Sequence, residues 1–525
     1  MAEAFYVTTA IDYANAAPHI GHAYEKVAAD AVARYERLRG RDVFFLTGLD
    51  EHGLKIERAA GAQGVEPQSF VDALAPQFEA AWRELGVAYD GFLRTSAPRH
   101  VAAVQYAFER LLANGDIQLA TYEGLYCVGC EEFKNERDLV EGLCPQHGTV
   151  PQSYREDNYV LAVSRYRERI RAHIEQHPAF IAPLSRRHEI LNLLETFPDV
   201  SISRQNLKWG IPVPGDDKQV IYVWLDALLN YLTGIGWPDD MARFERYWPA
   251  DLQLIGKDIT KFHCIIWPAI LMALDLPLPR TIYGHGWLNV GDQKMSKSLG
   301  NVIEPAAFAR EYGADALRYY MLREITFGRD GSYTFEAFKF RVNADLANNL
   351  GNALNRTLGI LGKHFAGEVP ADQPLVTVEL SRRVAVTVAE VEDLMGGAEP
   401  YRIQETLQAT WGLIDAINKY IDQQAPWALA KAGEMNALGG VLYGVLEALR
   451  VVAILVSPFI PHLASRIWEQ LGVALPLDAQ RWADLTWGGL KTGTQTHPGG
   501  PIYPRIEDAL AGTTGGKKKS RAGVD

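Results

Sequence analysis

The sequence predicts an α/β domain built on a parallel sheet, interrupted by an insertion and followed by an α-helical bundle. Three observations predict this. Strand-like and helix-like segments alternate through the first third of the chain. That rhythm breaks near residue 118 at a cysteine cluster and returns near 220. Strand-like segments then vanish after about residue 340, where long amphipathic patterns run to about 472.

Taken in order, Phe5–Ile11 is β-branched and aromatic, as a buried strand requires, and His19–Gly40 has helical periodicity that stops at a glycine. Val43–Leu49 is a second short apolar strand, followed by helical stretches near 52–64 and 67–85. Phe92–Thr95 reads as a strand and 98–114 as a helix. Residues 119–220 hold the cysteines, Arg- and Glu-rich helices, and the turn-rich run Pro212-Val213-Pro214-Gly215-Asp216-Asp217. The α/β pattern is expected to resume with the strands Val220–Leu225, Asp251–Ile255 and Thr281–Gly284. No internal repeat stands out.

The 525 residues, 48% hydrophobic and 22% charged, can fill several buried cores and exclude a disordered or fibrous chain. The apolar stretch Val451–Ala464 contains Pro458 and Pro461 and falls short of the ~20 residues of a membrane span. With no basic-then-apolar leader after Met1, a cytoplasmic protein without a membrane partner is expected. A net charge of −12, from 52 Lys and Arg against 64 Asp and Glu, argues against indiscriminate polyanion binding. It leaves room for a nucleic acid met locally and specifically. Four cysteines cannot make a disulfide framework, and three of them cluster at Cys127, Cys130 and Cys144, which points to metal.

Pro18-His19-Ile20-Gly21-His22 lies after the first strand, where the first long helix opens. A helix N-terminus offers free N–H groups and positive potential to an anion. Two imidazoles spaced i, i+3 share one face, and Gly21 admits a nucleotide closely. Such a set suits stabilisation of charge on a triphosphate attacked at phosphorus. A bare HxGH fits a structural turn equally well. Lys294-Met295-Ser296-Lys297-Ser298 sits between Gly291-Asp292 and Leu299-Gly300-Asn301. Two lysines three apart on such a loop can close over a polyphosphate, although the pentapeptide alone also fits a solvated basic loop. Cys127-x2-Cys130-x13-Cys144-x2-His147 has the paired spacing of a tetrahedral Cys3His zinc knuckle. With four protein ligands no coordination position is left for substrate, so the zinc is structural.

HIGH followed by KMSKS resembles the signature of class I aminoacyl-tRNA synthetases. Finer matches resemble methionyl-tRNA synthetases: Tyr13-Ala14-Asn15, Leu49-Asp50-Glu51-His52-Gly53, Tyr222-Val223-Trp224-Leu225-Asp226-Ala227 and Ile255-Gly256-Lys257-Asp258-Ile259. The resemblance runs from about residue 5 to 472. It implies an α/β Rossmann-type catalytic domain, split by a zinc-bearing connective insertion and followed by an α-helical anticodon-binding bundle. The implied boundaries are 1–117 and 220–290 for the halves of the catalytic domain and 118–219 for the insertion. The KMSKS loop and stem-contact region takes 291–340, the helical domain 341–510 and a disordered tail 511–525. No oligonucleotide-binding domain follows residue 510, so a monomer is expected.

The resemblance further implies a methionine–tRNA ligase. Methionine, ATP with Mg2+, and tRNA(Met) are its partners, and methionyl-adenylate and pyrophosphate form before the methionyl group passes to the tRNA 3′ end. His19, His22, Lys294 and Lys297 would stabilise the first transition state. Ile11, Tyr13, Trp224, Ala227, Leu228, Tyr231, Ile259 and His263 would surround the methionine side chain, with Asp50 on its ammonium. A thioether wants such an aromatic and aliphatic wall, and Tyr13 or His263 could offer sulfur one polar contact. By residue chemistry alone, Trp224 and Tyr231 fit ordinary core aromatics. Gly21, Gly256, Asp258, Gly284, His285, Gly286 and Trp287 are the implied ATP contacts, with Asp258 on the ribose.

In the bundle, Asn352, Arg356, Pro426 and Trp427 match the family's anticodon readers. Asn352 and Arg356 share a helix face, and Trp427 offers a stacking platform. An Asn/Arg face is also commonly just solvated, and residues 341–510 carry 13 Lys and Arg against 18 Asp and Glu, so base-edge and stacking readout is expected over bulk attraction. Four rivals have sequence features against them, among them a cysteine synthetase, whose family binds substrate through an active-site zinc while this cluster reads as closed. A leucine, isoleucine or valine synthetase needs a larger editing insertion. A non-catalytic tRNA-binding protein has no need of intact HIGH and KMSKS. A small adenylyltransferase leaves the helical domain without purpose. A dispersion-lined pocket rejects near-isosteres poorly, so homocysteine is expected to be activated and cleared as thiolactone.

Overall fold

A seven-stranded parallel sheet underlies the first 290 residues, in the order Asp12–Tyr13, Asp42–Asp50, Ala4–Thr9, Leu252–Gly256, Ile282–His285, Ile181–Ala182, with Gly91–Arg94 also on Asp42–Asp50. In the computed structural model, residues 2–128, 132–134, 136, 139–145, 148–205, 207–291 and 303–507 are described. Ala4–Thr9 is buried almost throughout, as its unbroken apolar run requires of a strand covered on both faces. Phe5 and Val7 point into a core continuous with the helical bundle, and Tyr6 points into a second core formed with Phe44, Leu46 and Ile255. Ala4–Thr9 pairs with Asp42–Asp50 on one side and Leu252–Gly256 on the other. The order reverses there, and the crevice at its carboxyl end is where such sheets bind ligands.

Residues expected to form the insertion build a four-stranded antiparallel sheet from Ile117–Cys127, Glu132–Lys134, Gln152–Leu161 and Val200–Ser201. One segment of that stretch behaves otherwise. Ile181–Ala182 joins the parallel sheet beside Ile282–His285.

The expected strand Val220–Leu225 is corrected. Val220 and Ile221 close a strand, Asp216–Ile221, of a small antiparallel sheet, and Val223–Thr233 is a helix. The helix is buried on nearly every side, so its apolar residues carry no period that separates it from a buried strand.

From residue 341 onward the described residues form no strand, only an isolated bridge between Glu368 and Gln495. Pro374–Gly396, Ile403–Gln424 and Pro461–Leu471 pack around Met435–Val456. That central helix is long and apolar enough to cross a membrane by length and composition, yet it is wholly buried. Its two charges are paired internally, Arg450 donating to both oxygens of Glu447 at 2.8 Å. The wholly buried Arg318 joins the bundle to the sheet domain, pairing with Asp30 at 2.6 Å and donating to the Phe459 carbonyl at 2.8 Å. The expected tail, 511–525, lies outside the described residues.

Candidate active site

Two histidines cap the helix Ile20–Leu38. His19 is the N-cap, its Nδ1 accepting from the Gly21 N–H at 3.1 Å, and the His22 Nδ1 accepts from the His19 N–H at 3.3 Å. The rings stack with centroids 3.8 Å apart and planes 15° from parallel. An imidazole that accepts at Nδ1 carries its proton on Nε2, so both rings direct an Nε2–H donor away from the backbone. Burial, then the charges of His19 and Lys26, hold His22 well below the usual histidine range, which keeps it a neutral donor. Lys294 and Lys297 lie outside the described residues. The first described residue after that loop is tied to the same helix start, the Ile20 N–H donating to the Ile303 carbonyl at 3.1 Å.

The helix Val223–Thr233 supplies one wall. Trp224, Ala227, Leu228 and Tyr231 fall at i, i+3, i+4 and i+7 and so share a face. Trp224 lies flat on Phe262, with centroids 3.5 Å apart and planes 8° from parallel. Its indole N–H has no partner among the described residues. The chain after Leu252–Gly256 turns through Ile259 into one π-helical turn, Phe262–Ile266, which places His263 opposite Tyr231.

His263 Nδ1 donates to the Ile259 carbonyl at 3.0 Å, and its Nε2 therefore accepts from the Tyr231 hydroxyl at 2.7 Å. Burial lowers its pKa to about 4. Both nitrogens of His263 are engaged within the protein in this way. On the far side, half-buried Tyr13 is the register partner of Asp50, at the end of strand Asp42–Asp50, and half-buried Ile11 precedes it. The Asp50 carbonyl accepts from the Ala14 N–H at 2.9 Å.

The expected nucleotide residues line the ends of the next two strands. Gly256 ends Leu252–Gly256 and pairs with His285, while Gly284 pairs with Ile255. Space for a side chain is tight at Gly284 and absent at Gly286. A Cβ on Gly284 would meet Thr260 at 2.8 Å, and one on Gly286 would lie 2.1 Å from the Arg329 carbonyl. Exposed Asp258 accepts from the Trp287 indole N–H at 3.1 Å, and the Lys257 ammonium sits 4.2 Å from the centre of the Trp287 ring. Asp330 joins them, accepting from Lys257 at 2.7 Å.

Three residues that the sequence reading did not name, Asp12, Glu25 and Lys26, form a buried network beside these sites. Lys26 donates to Asp12 at 2.7 Å and to the Ala10 carbonyl at 2.8 Å, and Glu25 accepts from His285 Nε2 at 2.8 Å. Burial pushes the Asp12 carboxyl up to about 7 against the pull of Lys26. Asp226 is enclosed by His52 at 2.7 Å and His100 at 2.8 Å. Lys26 follows His22 by four positions, so a shared helix face was the signal available for it. Phe262, next to His263, carried none.

The remaining expected sites are remote from this crevice. Arg356 donates to Asp422 at 2.7 Å, and its guanidinium lies 5.5 Å from the centre of the Trp427 ring. Asn352 is exposed on the same helix, Pro426 is buried at the start of Pro426–Ala432, and Trp427 is 50% exposed. Cys127 and Cys144 are buried and free of disulfide, while Cys130 and His147 lie outside the described residues. The Gly148 N–H donates to the Cys144 carbonyl at 2.7 Å. Among the described residues no group of three or more candidate ligands is assembled.

Comparison with known proteins places these features. Residues 5–153 and 146–358 match the family described as tRNA synthetases class I (M), and 369–511 match the anticodon binding domain of methionyl tRNA ligase. A methionine–tRNA ligase of Halalkalibacterium halodurans is 44% identical over 98% of this chain and 81% of its own. That of Caldanaerobacter subterraneus subsp. tengcongensis is 44% identical over 97% and 80%. Mycobacterium tuberculosis methionyl-tRNA synthetase in complex with methionyl-adenylate superposes with TM-score 0.91 at 40% identity, covering 96% of this chain and all of that one. Its free form gives 0.85 at 37% identity, covering 97% and 99%.

Proposed function

Because the chain belongs to the methionyl-tRNA synthetase family of class I enzymes, we propose that the crevice at the carboxyl end of Ala4–Thr9 is where it activates methionine for transfer to tRNA. The chain is an ATP-dependent methionine–tRNA ligase. The observation that carries the site assignment is the neutral ring wall beside the histidine-capped helix. His263 is held uncharged against Tyr231, and Trp224 lies flat on Phe262. An uncharged, polarisable wall favours a thioether over a charged side chain.

In the first step an oxygen of the methionine carboxylate bonds to the α-phosphorus of ATP, and the bond to the bridging oxygen breaks to release pyrophosphate. His19 and His22 donate from Nε2 to the phosphate oxygens on which charge builds. Lys294 and Lys297 neutralise the leaving pyrophosphate, a role supported by the tie between Ile303 and the start of the same helix. Mg2+ bound with the nucleotide adds neutralising charge. Asp50 takes the methionine ammonium, with Ile11, Ala227, Leu228 and Ile259 completing the apolar wall. Gly21, Gly256, Gly284, His285, Gly286 and Trp287 seat the nucleotide, and Asp258 its ribose. In the second step a ribose hydroxyl at the tRNA 3′ end attacks the acyl carbon and AMP leaves. Positioning and electrostatics carry the rate, with no covalent enzyme intermediate.

Residues 341–510 read the anticodon through Asn352, Arg356, Pro426 and Trp427. Cys127, Cys130, Cys144 and His147 would hold a structural zinc in the insertion 118–219, a reading supported by their paired spacing and by the burial of Cys127 and Cys144. Metal analysis of the purified protein tests this. One zinc per chain is expected, lost in a Cys144→Ser variant.

ATP–pyrophosphate exchange across the twenty amino acids tests the assignment. Methionine is expected to support exchange and leucine, isoleucine and valine to fail. Exchange with another amino acid at a higher kcat/KM would overturn the pocket reading.

A further inference from the structure

Between the expected methionine wall and the helix that bears His19 and His22 lies a fully buried row of charged side chains. Asp12, Lys26, Glu25 and His285 are 4%, 1%, 6% and 6% exposed. The three N–H bonds of the Lys26 ammonium match three acceptors: Asp12 at 2.7 Å, the Ala10 carbonyl at 2.8 Å and Glu25 at 3.4 Å. Glu25 continues to His285 Nε2 at 2.8 Å, and His285 Nδ1 donates to the Gly286 carbonyl at 2.7 Å. Four side chains therefore link the loop after the first strand, the histidine-capped helix and the strand end at His285. Charges this far from water are stable only together, because each removed partner leaves its neighbour stranded.

The loop held by Lys26 is the one that carries Ile11 and Tyr13. The Ala10 N–H donates to the Leu254 carbonyl on one neighbouring strand, whereas Asp12 and Tyr13 pair with Leu49 and Asp50 on the other. The chain crosses the crevice between those two attachments. Lys26 grips the carbonyl on one side of Ile11 and the carboxylate on the other, so it determines how far Ile11 and Tyr13 project into the pocket.

We propose that Asp12 and Lys26 are positioning residues for the amino-acid side chain, clamping the Ala10–Tyr13 loop to the helix that carries His19 and His22. Neither residue touches substrate; each acts through Ile11 and Tyr13. The inference rests on the assignment of those two residues to the methionine pocket.

The deciding variant is the double substitution Asp12→Asn with Lys26→Met in the full chain. It removes both charges together and leaves Glu25 paired with His285, so the buried charge stays balanced. In ATP–pyrophosphate exchange the KM for methionine is expected to rise about tenfold or more, since misplacement on the scale of 1 Å is costly in a fitted site. The KM for ATP is expected to stay within about threefold, and the urea midpoint to stay near that of the wild type. The single Asp12→Asn variant keeps an oxygen acceptor for Lys26, and a smaller rise in the methionine KM is expected from it.

A double variant with unchanged methionine KM, or with both KM values raised equally, would make the pair a fold stabiliser only and overturn the proposal. If the double variant does not fold, the decision falls to Asp12→Asn, and an unchanged methionine KM there overturns the proposal in the same way. A wild-type protein that fails to activate methionine refutes the pocket assignment itself, an outcome distinct from these.

Discussion

Gly286→Ala is the substitution whose consequence is most directly set by the geometry. A Cβ there would lie 2.1 Å from the carbonyl carbon and oxygen of Arg329 and 2.4 Å from the Asp330 nitrogen. Carbon atoms rest at about 3.5–4.0 Å, so the two backbones must part by roughly 1.4 Å. They are held together by the Gly331 N–H donating to the Trp287 carbonyl at 2.8 Å, and by the parallel pairing of Leu288 with Gly331. Neither segment can rotate away as a side chain would. Overpacking costs about 1–3 kcal/mol and a lost hydrogen bond about 1 more, giving roughly 2–4 kcal/mol of strain. The displaced segment, His285 to Trp287, is part of the proposed nucleotide seat. A shift of this size is expected to lower kcat/KM for ATP about 100-fold in pyrophosphate exchange. Gly362→Ala is the comparison. It lies in the helix Gly351–Phe365 with nothing within 4 Å of a new Cβ, so it should stabilise by about 0.5–1 kcal/mol and leave exchange unchanged. A Gly286→Ala protein with kcat/KM for ATP within twofold of the wild type would refute the close approach and the nucleotide assignment together.

Three further outcomes are expected. His263 is lowered to about 4 by burial against about 6.5 when unfolded, so the unfolded chain binds the extra proton between those values. Stability should therefore climb with pH through that window by up to about 3 kcal/mol and level off above it. Urea midpoints from pH 4.5 to 7.5 should show a steeper slope for wild type than for His263→Gln, and equal slopes would contradict the buried neutral ring. Arg318→Met removes the buried guanidinium from Asp30, which keeps Arg34 and the Ala88 N–H at 2.8 Å each, and should destabilise the fold by about 3 kcal/mol in urea unfolding, with part of the loss recovered when Asp30→Asn is added. Trp427→Ala should raise the KM for tRNA by about 5–150-fold, the equivalent of 1–3 kcal/mol of base stacking. It should leave pyrophosphate exchange untouched, because Trp427 lies on the bundle and not in the crevice.

Much of the site was legible in the sequence because its signals are local. The cap formed by His19 and His22 follows from the i, i+3 spacing at a helix start, whereas Trp224, Ala227, Leu228 and Tyr231 were named through the family resemblance, and their shared helix face came only with the structure. Apolar richness misled at Val220–Leu225. A helix buried on all sides carries no alternation, and only its length separates it from a strand. Ile181–Ala182 was illegible as part of the main sheet because two residues are too few to show any period. The partners of His263 were illegible for a different reason, because the Tyr231 hydroxyl that meets it belongs to a helix 32 positions earlier.

Residue types and short spacings by themselves determined the parallel α/β architecture, the helical bundle and the histidine cap. Each is a pattern that repeats within a few residues, and backbone geometry translates it directly into a face or a terminus. The tertiary structure alone decided that Lys26 meets Ala10 and Asp12, that Glu25 reaches His285 across 260 positions, and that Trp224 lies flat on Phe262. A buried charge or ring acquires its partner from whatever element packs against it. That choice depends on the path of the whole chain, and no local pattern encodes it.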